Sequence, residues 1–338
     1  MNQFNPKRTP LKYDARCQNM FRIIKIPFLL FLALQALIIN AQENHTVNIV
    51  VPFVAGSAQD TFARLIAPAL SKALASNVII LNKPGAGGTV GAAFVANSKP
   101  DGNTLLMAAS NHHLAPLLYP RLPYHPFDSF RGVTFLGSSP YILVASSDTN
   151  FVDLKNFVKI VQQKPKFFNF GSSGTGSISH IAMSSFLIRS GLQMTHIPLK
   201  GSNEILNEML AKRIDAAMLP IATLINYKSD DRIKLLAITD ISRSTTMPEL
   251  PTIWESGFQD FYWLSWTGLL APANSPISKI NTLSQSVASI IQDPSMQLQL
   301  QNMGLKFQPK ERKNFEEFLR NDWVNTSILI DKIKPALE

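Results

Sequence analysis

From residue 47 onward, short β-rich runs alternate with stretches of helical periodicity, and this alternation restricts the fold more than any other feature of the chain. Residues 47–51 form a short β-rich run stopped by Pro52. Residues 60–75 carry Phe62, Leu65, Ile66, Ala69 and Leu70 at helical spacing, and residues 77–81 form a second, apolar run. A small-residue helix over 89–97 and a third strand over 104–109 follow. Alternation at this density generates βαβ units, whose strands lie mostly parallel in one sheet.

The pattern resumes after residue 141. Strands over 141–145, 167–170, 195–197, 215–219 and 234–239 are interleaved with helices over 153–163, 177–190 and 202–211. Residues 250–257 read as an irregular segment with a short helix, 267–270 as a last strand, and 277–291, 295–303 and 314–333 as closing helices. Apolar residues make up 46% and charged residues 16%, which excludes a disordered chain and supplies a sizeable core. Two α/β blocks, with the closing helices returning to the first, predict an α/β protein of two lobes, each a mainly parallel sheet flanked by helices.

The first 41 residues differ from the rest. Residues 26–39 are apolar apart from Gln35. Lys7, Arg8, Lys12, Arg16, Arg22 and Lys25 precede them, and Ile39-Asn40-Ala41 closes the segment. This is the basic region, apolar region and small-residue cleavage site of a secretory signal peptide, and the run is short for a membrane span. The expectation is cleavage near Ala41, a mature chain beginning at Gln42 and a periplasmic location. An uncleaved anchor is the competing reading, and the start is Met1 or Met20. Cys17 precedes the run, so it is not placed as a lipoprotein cysteine, and the mature chain holds no cysteine for a disulfide or a Cys-based zinc site. The net charge of +9 falls to +4 beyond residue 41, where 26 basic and 22 acidic residues are scattered without a long basic run. That distribution argues against nucleic acid as a partner.

Three glycine-bearing loops share one position in the pattern, after a strand and before a helix. The first, residues 52–60, contains Phe53, Gly56 and Ser57; the second, 82–91, contains Gly85, Gly87, Gly88 and Gly91; the third, 171–177, contains Ser172, Ser173, Gly174 and Thr175. Such loops line the carboxyl edge of an open α/β sheet, where ligands bind. Glycine lets backbone approach a ligand, and the unpaired N–H groups of a helix start carry the positive end of its dipole. Loops one and three belong to different blocks and can face each other across a cleft, with Ser57, Ser172, Ser173 and Thr175 adding hydroxyl donors. Each loop alone also reads as an ordinary turn; together they point to an anion. Asp60 is read as a brace of the first loop, since its charge would repel that anion.

Catalytic motifs fail on particular residues. A dinucleotide fingerprint beginning at Gly85-Ala-Gly87 needs glycine where Val90 stands, and no P-loop occurs. Around Ser173, Thr175 replaces the last glycine of a nucleophile elbow. The histidines form no H-E-x-x-H; His112 and His113 would point to opposite faces of a strand, and His180 reads as a packing or capping residue. Pro100-Asp101-Gly102 is a turn.

An ordered series of segments carries a family resemblance: Val51-Pro-Phe-Val-Ala-Gly56 with Asp60, Asn82-Lys-Pro-Gly-Ala-Gly-Gly-Thr-Val-Gly91, Pro100-Asp-Gly-Asn-Thr-Leu105, Tyr124 with Phe130, Phe170-Gly-Ser-Ser-Gly-Thr-Gly176 with His180, His196-Ile-Pro-Leu-Lys-Gly201, Pro248-Glu-Leu-Pro-Thr252 with Glu255-Ser-Gly257, and Trp266 with Gly268-Leu-Leu-Ala-Pro272. From about residue 47 to its end the chain resembles the substrate-binding receptors of tripartite tricarboxylate transporters, the Bug family. The resemblance implies a two-lobed, hinged periplasmic-binding-protein-like (type II) fold that closes on a small carboxylate. The lobes would be residues 42–143 plus 266–338 and residues 144–265. It implies recognition by loop backbone rather than an arginine clamp, and no arginine lies in the three loops. It also implies membrane transporter subunits as partners, a monomer, no catalysis, and no cofactor or metal. The ligand-binding residues expected on this basis are Phe53, Gly56, Ser57, Gly87, Ser172, Ser173, Gly174, Thr175 and Leu199.

Three positions depart from the family pattern: Ser57 and Lys212 stand where glycine is usual, and Leu199 where tyrosine is usual. Ser57 narrows the first loop and Leu199 removes a hydroxyl beside the cleft, so which carboxylate binds stays open. The alternatives are a secreted α/β enzyme acting on an anionic small molecule and a ligand sensor keeping the same fold.

Overall fold

A computed structural model of the chain describes residues 46–333 apart from 120, 260 and 311. The expected leader over 1–41, with Cys17 and the cleavage position at Ala41, lies outside the described residues. The first half of the chain forms β1 (Thr46–Val51), α1 (Ala58–Leu74), β2 (Asn77–Asn82), α2 (Thr89–Ala96), β3 (Thr104–Ala109), α3 (Asn111–Leu118), β4 (Phe130–Ser146) and α4 (Leu154–Gln163). Then come β5 (Asn169–Ser172), α5 (Ile178–Arg189), β6 (Thr195–Pro198), α6 (Ser202–Leu210), β7 (Ala216–Pro220), α7 (Ile221–Leu224) and β8 (Ile233–Ile238). The chain continues through β9 (Leu264–Pro272), α8 (Ile277–Gln292), α9 (Pro294–Asn302), β10 (Lys306–Lys310) and α10 (Arg312–Ile333).

Local chemistry sets the element ends. The Ser57 hydroxyl accepts from the Asp60 N–H and caps α1, which stops where Ala75 turns left-handed at φ 48°. Asp153 caps α4 and Ser177 caps α5 in the same way. One correction concerns 111–118: His112 and His113, read as strand neighbours, lie in the first turn of α3, and both are buried. The first half of β4, β10 and the single turn α7 also lacked a sequence signal.

The strands join in the order β2-β1-β3-β9-β4-β7-β5-β6, with β8 and β10 also paired to β4. β1 pairs parallel with β2 and β3, and β5 parallel with β6 and β7, as βαβ connections require. The crossing strands differ: β9 pairs antiparallel with β3 and β4, and β4 antiparallel with β7, β8 and β10. The connected sheet is therefore mixed, parallel in its two outer groups and antiparallel along the strands that run between them.

β4 has two sets of partners. Phe130 to Pro140 face β9, and from Tyr141 onward the strand faces β7 on one side and β8 on the other. Its side chains alternate between two cores: Leu143 and Ala145 pack with Phe157, Ile181 and Phe186, whereas Ile142 and Val144 pack with Ile205, Leu219 and Ile238. β3 does the same at the other end, sending Leu105 and Met107 to one core and Leu106 and Ala108 to the other. Both sheet faces are covered by helices, which is why the strands read as unbroken apolar runs.

The last helix spans more than the first block. Phe315 and Leu319 of α10 pack with Trp266 and Leu270, while Ile330 and Ile333 at its far end pack with the core around Phe157 and Phe186. A helix of 22 residues is about 33 Å long, enough to reach both. Phe315 is fully buried over Gly268, where an added Cβ would meet its ring at 2.5 Å. Among the described residues no helix is long and apolar enough to cross a membrane. Phe315→Ala should lower the free energy of unfolding by about 3–5 kcal/mol in urea titrations, whereas Val324→Ala on the exposed face of α10 should change it by less than about 0.5 kcal/mol.

Candidate functional site

A pocket of about 420 Å³ opens where the strand–helix loops of the two outer strand groups meet. Its wall includes the start of α1 (Ser57, Ala58, Gln59), the turn 84–88, the loop and start of α5 (Ser173 to Thr175, Ser177 to Ser179), and the start of α6 (Leu199 to Ser202). Phe53, Tyr119, Tyr141 and Pro220 also line it. Phe53 packs against the cores of both halves, and Tyr141 and Pro220 are register partners where β4 changes neighbours.

Of the residues expected from sequence, Phe53, Ser57, Gly87, Ser173, Gly174, Thr175 and Leu199 line this pocket together. Gly56 and Ser172 do not. The Gly56 N–H donates to Asp60 Oδ2 (2.9 Å), and its carbonyl accepts from Asn203 Nδ2 (3.4 Å). Ser172 is fully buried beneath the third loop; its hydroxyl donates to the Gly174 carbonyl (3.1 Å), accepts from the Gly174 N–H (3.2 Å), and contacts His196 Nε2 (2.6 Å). It is therefore a loop brace rather than a donor in the pocket. Its pairing with His196 is no nucleophile–base arrangement either, since the hydroxyl is closed off from the pocket.

The first loop is held from behind by Asp60. Its carboxylate accepts from Gly56 N–H, Asn82 Nδ2 (2.8 Å) and Arg64 Nε (2.9 Å), and Asn82 also donates to the Phe53 carbonyl (3.1 Å). Burial opposes its ionisation, but these hydrogen bonds and the Arg64 charge outweigh burial and hold its pKa below the ordinary carboxylate value. In the second loop, Gly87 (φ 64°) and Gly88 (φ 99°) need glycine: a Cβ on Gly88 would lie 2.2 Å from Asn111 Nδ2, which donates to the Gly87 carbonyl. The third loop is shaped by His180, whose Nδ1 accepts from the Gly176 N–H (3.1 Å), and by Ser179, whose hydroxyl accepts from the Ser173 N–H (2.9 Å).

These braces leave other amides open. With Ser57 capping Asp60 and Ser177 capping His180, the first two N–H groups of α1 (Ala58, Gln59) and of α5 (Ile178, Ser179) have no hydrogen-bond partner among the described residues. Both pairs belong to residues lining the pocket, as does Ser202 at the start of α6. Of the residues lining it, Lys200 is the charged one, and none is an aspartate or glutamate. Three helix starts and an ammonium group give the pocket a positive field suited to an anion.

Sequence reasoning missed Gln59, Tyr119, Tyr141, Ser177, Ser179, Lys200 and Pro220. Ser177 and Ser179 belong to or adjoin the third loop and could have been found by extending it one helical turn, whereas Lys200 opens a fourth strand–helix junction that was not read as a loop of the site. Tyr119 and Tyr141 had no local signal: Tyr119 donates from its hydroxyl to the Thr175 carbonyl (3.3 Å), and Tyr141 reads as a buried strand residue. Burial pushes the Tyr141 phenol above its ordinary pKa, opposed by a hydrogen bond with Ser265, so it stays neutral. A separate buried cluster, His113 Nδ1 with Asp322 Oδ2 (2.7 Å) and Trp266 Nε1 donating to the same oxygen (2.9 Å), ties α10 to α3 and β9. No group of three or more histidine, cysteine, aspartate or glutamate side chains is placed to hold a metal ion among the described residues.

A mixed sheet with helices on both faces and a ligand-sized pocket among its strand–helix loops defines a protein of the periplasmic binding class. The chain belongs to the tripartite tricarboxylate transporter receptor family, which it matches over residues 62–334. It is similar to a UPF0065 protein encoded in the TAR-I ttuE-ttuC' intergenic region of Agrobacterium vitis, 31% identical over 75% of each chain. Among solved structures it is similar to the periplasmic binding protein BugD, with a TM-score of 0.81 and 27% identity over 86% of this chain and 97% of that one. MatC from Rhodopseudomonas palustris, solved with bound malate, gives a TM-score of 0.78 and 27% identity over 84% of this chain and 98% of that one.

The buried histidines make acid stability a test of this packing. Burial, and for His180 also the neighbouring His196, lowers His180 to about 3; burial lowers His196 to about 4; and burial with the charge of His113, opposed by the Pro126 carbonyl, lowers His112 to about 3. A base with a depressed pKa is protonated first in the unfolded chain, so its contribution is complete above the ordinary imidazole value of 6.5 and is lost as pH falls toward the folded value. Urea midpoints should therefore drop steadily from about pH 6.5 to about pH 4. His196→Asn should flatten that drop, and a wild-type midpoint constant over this range would contradict it.

Proposed function

We propose that the chain is an extracytoplasmic solute-binding receptor that captures a small carboxylate in this pocket and releases it unchanged to the membrane subunits of a tripartite tricarboxylate-type transporter. The observation that carries the reading is the convergence of three helix starts, with open amides, on a pocket lined by Lys200 and no carboxylate. Membership of the receptor family supports it, as does the malate bound in MatC. The residues proposed to contact ligand are Phe53, Ser57, Gly87, Ser173, Gly174, Thr175 and Leu199. The open amides of α1 and α5 would hold the carboxylate, with Lys200 adding charge.

The reading includes export to the periplasm with a leader removed near Ala41, a monomeric receptor, and two hinged lobes, 42–143 plus 266–338 and 144–265. The change of β4 partners between Pro140 and Tyr141 supports a division close to that boundary. Two hydrogen bonds join the two proposed lobes, from Tyr119 to Thr175 and from Asn203 to Gly56, and hinge motion would part them.

A bound carboxylate at about 100 times its Kd should stabilise the protein by roughly 2.7 kcal/mol, a readable thermal shift. Ser173→Asp puts a like charge beside the proposed anion and should abolish the shift while leaving the unliganded Tm nearly unchanged. Binding of a carboxylate to that variant as tightly as to wild type would overturn the site assignment.

A further inference from the structure

The lining combines open helix starts with a set of apolar side chains. The apolar part is made by Phe53, Tyr141, Ile178, Leu199 and Pro220. Tyr141 and Ile178 are buried, and Phe53 and Leu199 are held in the flanking cores, so these surfaces are fixed in place. Tyr141 adds a phenol ring to this part of the lining. A cavity of about 420 Å³ is larger than a four-carbon acid fills, and an unfilled apolar surface gains nothing from binding.

Charge narrows the choice further. Lys200 is the charged residue of the lining. The two carboxylates beside the lining in sequence are occupied elsewhere: Asp60 by Arg64, Asn82 and the Gly56 N–H, and Glu204 by the Lys200 backbone N–H (2.7 Å). A ligand ammonium group would enter a positive field with no counter-charge, and second and third carboxylates would have to lie against the apolar wall.

Resting on the receptor reading above, we propose that this pocket selects a carboxylic acid with one charged end and an apolar body, aromatic or medium-chain, and excludes α-amino acids and tricarboxylates. The carboxylate sits at the helix starts beside Lys200, and the body lies between Phe53, Tyr141 and Leu199. Leu199 is then a specificity-determining residue, since it supplies apolar contact to the body and no hydrogen bond.

The test is calorimetry on the purified full protein, dialysed free of co-purified ligand, with 3-phenylpropanoate, octanoate, L-phenylalanine, succinate and citrate. L-phenylalanine differs from 3-phenylpropanoate by its ammonium group alone. The expected result is binding of 3-phenylpropanoate or octanoate, with L-phenylalanine and citrate weaker by at least about 100-fold. Leu199→Ser should weaken the apolar acid and leave the unliganded Tm within a few degrees of wild type. Binding of succinate, citrate or L-phenylalanine as tightly as the apolar acids would overturn the proposed ligand class while leaving a carboxylate receptor in place. Failure of every carboxylate in the panel to bind would overturn both.

Discussion

The structure depends on the backbone pairing of β4. Over 17 residues this strand first completes the sheet of one half with β9 and then becomes the shared strand of the other half with β7 and β8. All but two of its residues are buried, so neither half can be assembled without it. Where the partners change, Tyr141 and Pro220 lie side by side and contribute to the pocket wall. The pocket thus inherits its place from a hydrogen-bonding constraint rather than from any one loop. Strand–helix loops of both halves open toward this junction because parallel strands present their carboxyl ends to the same side.

A second requirement is that the loops be rigid while their amides remain open. Two polar networks achieve this. Asp60 with Arg64 and Asn82 holds the first loop, and Ser172 with His196 and His180 holds the third, where the two imidazoles stack at 3.8 Å. Each network satisfies its loop from behind, on the side away from the pocket. The N–H groups at the front are then left for a ligand, and little ordering is required when one binds. Charge on these supports is kept off the pocket: Asp60 is paired with Arg64, and both imidazoles are neutral above about pH 4.

On the proposed reading, ligand choice resides in the apolar residues of the pocket wall. In this chain that wall includes Phe53, Tyr141, Ile178, Leu199 and Pro220, with Lys200 as the charged residue of the lining. The helix starts supply a generic attraction for negative charge. On the proposed reading, the apolar residues supply size and shape and so favour one carboxylate over another.

Much of this was legible in the sequence for a definite reason. Strand and helix periodicity in 46–109 and 141–238 reports local burial, and local burial is what a two-sided parallel sheet imposes on its inner strands. Glycine and serine at the three loops reported backbone that must turn sharply and cap a helix, which placed Ser57, Gly87, Ser173 and Thr175 without tertiary information. The course of β4 through both halves, the helix around His112 and His113, and the reach of α10 into both cores depend on partners far away in the chain, so no local pattern encodes them. Tyr119 and Tyr141 joined the pocket for the same reason. Ser172 left it because His196, 24 residues away, occupies its hydroxyl. Sequence alone determined which backbone could receive an anion. Only the tertiary structure decided which hydroxyls face the pocket, because a side chain's availability depends on what packs behind it.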